Sequence, residues 1–140
     1  MKTFIISIAL IITAITSYEV KSSSKDYITH CNLDSPAALV ITGCTIVIAN
    51  SDSNKTRSKA YAYRALAFYS WEQYEKAIED VSRALIEYPD NLIVYAVRGN
   101  IYSKIDDNGN LARSDINKAV SLSPDNAEVR LLCAEMFFIS

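Results

Sequence analysis

Residues 61–89 read YAYRALAFYSWEQYEKAIEDVSRALIEYP, and residues 95–124 answer with YAVRGNIYSKIDDNGNLARSDINKAVSLSP. Tyr61, Arg64, Ala65, Phe68, Ala77, Ala84 and Pro89 stand opposite Tyr95, Arg98, Gly99, Tyr102, Ala112, Ala119 and Pro124, 34 to 35 residues further on. A fixed period of that size marks a helical solenoid, in which one unit cannot bury its apolar face without a neighbour. The chain therefore reads as all-α, a short solenoid of antiparallel helix pairs. Folds of this kind present surfaces to partners, so the expected function is binding.

The helices follow from apolar spacing and from the residues that interrupt it. Ser35-Pro36 makes a helix start, with serine as N-cap and proline at the first helical position. The run 37–49 is rich in β-branched residues and has strand propensity, but its length and its place ahead of a helical repeat favour a helix. Further helices are expected over 57–70, 74–88, 92–105, 111–122 and 127–138. Pro89-Asp90-Asn91 and Pro124-Asp125-Asn126 end one helix and offer a cap to the next. In the first helix of each pair Ala65, Gly99 and Ala134 are followed three residues later by Phe68, Tyr102 and Phe137. Small side chains let two helices approach, and the ring fills the space beside them.

On these residues the chain resembles the tetratricopeptide repeat family. Its motif of an aromatic, a small residue, an aromatic, two spaced alanines and a proline is matched from Tyr61 to Pro89. It is matched again from Tyr95 to Pro124 with one inserted residue. The resemblance implies full repeats at about 58–91 and 92–126, a closing helix at 127–138, and a degenerate leading unit holding Val40, Cys44 and Val47, all within a domain over 36–140. Two departures stand out. Glu72 occupies the turn position where the family usually has glycine, so a reshaped turn with Trp71 and Tyr74 packed around it is expected. The acidic loop Asp106–Asn110 lengthens the second inner turn, but it lacks the ligand set of an EF-hand and reads as a solvated turn.

Ahead of this domain, Lys2 and the apolar run Phe4–Ile15 form a signal peptide over 1–17, with an uncleaved signal anchor as the alternative. Residues 18–35 are polar and serine-rich, a flexible lead-in. Losing the leader removes one lysine and no acid, which moves the formal net charge of −2 to −3. So mild an acidity gives no reason to expect nucleic acid or an anionic membrane as partner. In the oxidising compartment that export implies, Cys31 and Cys44 are expected to pair, leaving Cys133 a buried thiol; three unpaired buried cysteines are the other reading. With His30 the only histidine and no Cys-x-x-Cys, no metal site is expected, and no cofactor.

The resemblance implies a concave groove lined by the first helices, which receives a peptide or an extended protein segment. Its positions correspond to Lys59, Ala62, Leu66 and Tyr69, then Ile93, Ala96, Asn100 and Ser103, and finally Glu128, Leu131, Glu135 and Phe138. Asn100 matches a position at which family members often hold a peptide backbone, since an amide both donates and accepts. Arg64 and Arg98 are expected to serve in salt bridges to Asp80 and Asp115. No nucleophile–base pair or phosphate loop is visible, so an enzyme is not expected. Two functions fit: a periplasmic or secreted module that recruits a protein or peptide as adaptor or scaffold, or a structural component of the cell envelope that self-assembles as a homo-oligomer through its last helix.

Overall fold

The structure, a computed structural model, describes residue 26, residues 28–105 and residues 109–137. The leader, the lead-in up to residue 25, the acidic turn at 106–108 and Phe138 lie outside the described residues. Among the described residues the chain is all-helical, with no strand: α1 (Ala37–Asn50), α2 (Asn54–Ser70), α3 (Tyr74–Glu87), α4 (Leu92–Ile105), α5 (Asn110–Leu122) and α6 (Ala127–Phe137).

The caps explain these boundaries. Asn91 and Asn126 accept from the amides of Ile93 and Val129 at the starts of α4 and α6. α2 begins three residues ahead of the position expected from its apolar spacing, because the Ser53 hydroxyl caps it by accepting from the Thr56 amide. Ser35 does not cap α1: Pro36 takes the N-cap position, and the Ser35 hydroxyl is within 3.1 Å of His30 Nδ1. Glu72 adopts φ of 59°, the left-handed conformation expected of glycine, and the turn keeps its shape. The Gln73 and Glu72 amides bond back to the Phe68 and Tyr69 carbonyls, closing α2 as a Schellman cap. Tyr69 and Tyr74 rings meet at 6.0 Å, but Trp71 stays 49 % exposed rather than packing around the turn.

Each helix packs on its successor, and α4 also packs on both α2 and α6. Ala65, Ala77, Ala84, Ala96 and Ala119 are completely buried where these helices meet. Gly99 marks a close approach of α4 to α5: a Cβ there would fall 2.6 Å from Ile116 Cγ1. Arg64 of α2 makes two hydrogen bonds to buried Asp80 of α3, and Arg98 of α4 repeats them to Asp115 of α5. Each guanidinium lies between two rings, Tyr61 and Phe68 or Tyr95 and Tyr102. The carboxylate bonds outweigh burial and hold both arginine pKa values above the ordinary one. Both arginines thus make the salt bridges expected of them.

Candidate functional site

One face of α2 carries Lys55, Lys59, Tyr63, Leu66 and Ser70 at successive turns, and two clefts open along it. The cleft toward the helix C-terminus holds about 370 Å³. Leu66, Tyr69 and Ser70 line it from α2, α1 and α6 contribute Val40, Leu131 and Leu132, and the lead-in contributes Leu33 and Ser35. The cleft toward the N-terminus holds about 520 Å³ between Lys55, Thr56 and Lys59 of α2, Val47 of α1, and Ile28 and Cys31 of the lead-in. Tyr63 and Asn32 line both clefts and stand between them.

The lead-in is held there by the Cys31–Cys44 disulfide, whose Cα atoms are 4.7 Å apart. Cys44 is completely buried in α1, while Cys31 is partly exposed. Cys133 is a buried free thiol, and burial pushes its pKa up.

Opposite the lead-in, α6 reaches back to the same face. The Tyr63 hydroxyl donates to the Glu128 carboxylate, and Lys59 Nζ approaches that carboxylate at 3.2 Å while lying 5.1 Å from the centre of the Tyr63 ring. Burial, then the bond to Glu128 and its charge, hold the Tyr63 phenol well above the ordinary tyrosine range.

Of the residues that the resemblance places on a groove, Lys59, Leu66, Tyr69, Ser103, Glu128 and Leu131 are accessible. Lys59, Leu66 and Tyr69 line the clefts, whereas the Ser103 hydroxyl donates to the Asn100 carbonyl of its own helix. Ala62, Ile93 and Ala96 are buried. Asn100 is 2 % exposed, and its Nδ2 donates to the Leu132 carbonyl at 2.7 Å, fastening α6 to α4. Its Oδ1 is buried with no partner among the described residues. Leu131 stands 62 % exposed at the mouth of the first cleft. Glu135 falls in α6, and its side chain lies outside the described residues.

Sequence reasoning passed over Tyr63 and the lead-in. Tyr63 lies one turn beyond Lys59 and one before Leu66, so the helical period that selects those two also selects it. The cysteine pair was the signal for the lead-in, since bonding Cys31 to Cys44 brings residues 28–35 against α1.

No described helix is long and apolar enough to cross a membrane. No group of three or more His, Cys, Asp or Glu that could hold a metal occurs among the described residues. Comparison of the chain with protein-family models, curated proteins and solved structures gives no match.

Proposed function

We propose that the chain is a small exported module of the tetratricopeptide kind, which binds an extended segment of a protein or peptide along α2 and performs no catalysis. The observation that carries this reading is the alignment of the two clefts on the α2 face that holds Lys59, Leu66 and Tyr69. Contacts of α4 with both α2 and α6 fit a stack of first helices, and the Arg64–Asp80 and Arg98–Asp115 pairs repeat at one register, as repeated units would have them. The disulfide fits a compartment that preserves such bonds, periplasmic or extracellular. The cleft toward the helix C-terminus is lined mainly by apolar side chains, with the neutral polar groups of Asn32, Ser35 and Ser70 among them, which suits a segment presenting a bulky aliphatic side chain beside free backbone groups.

The test is affinity capture from the envelope or secreted fraction of the source cells, comparing the wild type with Leu66→Arg. A partner held by the wild type and lost by the folded variant is the expected result; equal recovery by both contradicts the reading.

Leu131 favours a second reading, because so exposed a leucine on the last helix offers a seat for another copy. Light scattering decides it. A dimer abolished by Leu131→Asp supports self-assembly, and a monomer at every concentration excludes it.

A further inference from the structure

The lead-in crosses α2 at the level of Tyr63, and its attachment to the helices is slight. The hydrogen bonds seen for residues 28–35 stay within the segment or run back to Asp26: Thr29 hydroxyl to Asp26 carbonyl, Cys31 amide to Ile28 carbonyl, Asn32 amide to His30 carbonyl, Asn32 Nδ2 to Thr29 carbonyl, Asp34 amide to Asn32 Oδ1, and His30 with Ser35. What joins the segment to the helices is the disulfide, the packing of Cys31 and Leu33 against the core, and the chain running into α1. Asn32 meanwhile forms the partition between the two clefts, together with Tyr63.

We propose that the Cys31–Cys44 disulfide is a redox latch. Oxidised, it holds the lead-in across α2 and divides the binding face into two short clefts. Reduced, it releases residues 28–35 and joins the clefts into one groove from Lys55 to Ser70. The reductant is a dithiol. One of its thiolates attacks Sγ of Cys31, the more accessible sulfur, and the S–S bond breaks with Cys44 leaving as a thiolate that takes up a proton. The second thiol of the reductant then displaces Cys31 and becomes oxidised, so two electrons and two protons pass to the protein. The proposal deepens the reading of α2 as the binding face, yet its test needs no partner.

Hydroxyl-radical footprinting of the full chain, read residue by residue by mass spectrometry, compares the oxidised protein with the dithiol-reduced protein and with Cys31→Ser. The expected result is a several-fold rise in labelling of Leu33, Tyr63 and Leu66 in both opened forms, with α3 and α5 unchanged. Unchanged labelling of Tyr63 and Leu66 overturns the latch. So does a rise throughout the chain, which makes the disulfide a staple of the whole fold. A latch that opens while Leu66→Arg retains the partner leaves the latch standing and removes the binding reading.

Discussion

Among the described residues other than glycine, Glu72 alone has a positive φ, so there the side chain goes against what the backbone asks. A side chain at φ of 59° strains the backbone, and glycine carries no such penalty. Glu72→Gly is expected to stabilise the fold by about 1 kcal/mol, read as a higher melting temperature. The opposite holds at Gly99, where an added methyl meets the buried side chain of Ile116 at 2.6 Å. Gly99→Ala is expected to cost about 1–3 kcal/mol by overpacking, and a melt that does not fall would show that α4 and α5 can separate without loss. Tyr63 gives a pH dependence. Its folded pKa is raised, so its contribution is fully present below the unfolded tyrosine value of about 10 and is lost as pH rises beyond it. Cys133, raised by burial, adds to the same alkaline limb. Denaturant midpoints should fall from about pH 9 to 11, and less steeply in Tyr63→Phe.

Among the elements, α4 was legible to its end residues, because Pro89-Asp90-Asn91 punctuates its start and a polar run of sequence follows Ile105. α2 was legible except for its first turn. Asn54, Lys55 and Thr56 carry no apolar signal, and the cap at Ser53 acts through a hydroxyl that spacing alone does not reveal. Ser53→Ala is expected to cost about 1 kcal/mol, and a hydrogen-exchange measurement should place the loss in the first turn of α2. The β-branched run of α1 held as a helix because it packs on α2 through buried Val40 and Cys44. Burial of an apolar face outweighs its strand propensity. Ser35 misled because a serine before a proline can serve either cap or loop, and the nearby His30 took its hydroxyl. Between elements, the Arg64–Asp80 pair is the salt bridge expected from the repeated arginines of the motif. Arg64→Ala should destabilise by about 3 kcal/mol by leaving the buried Asp80 carboxylate without its partner.

At the scale of the whole molecule, the repeat pointed to a face and not to its contents. Period and motif identify α2 as a helix with an open side, but the resemblance also placed Ala62, Ala96 and Asn100 on a groove, and these are buried. Part of the reason is closure: α6 packs on α4 through the Asn100–Leu132 bond, and the Lys59 and Tyr63 side chains reach from α2 to Glu128 of α6. The lead-in narrows the accessible face further, and nothing in its polar, serine-rich composition announces that role. Only the cysteine pair does. The central claim is therefore that the face of α2 is where a partner sits. A photo-crosslinking amino acid at Leu66, compared with one at Ile86 on α3, 81 % exposed and lining neither cleft, tests it directly in the native compartment. A discrete cross-linked partner from position 66 and none from position 86 is the expected result; the same products from both positions, or none from position 66, would contradict it.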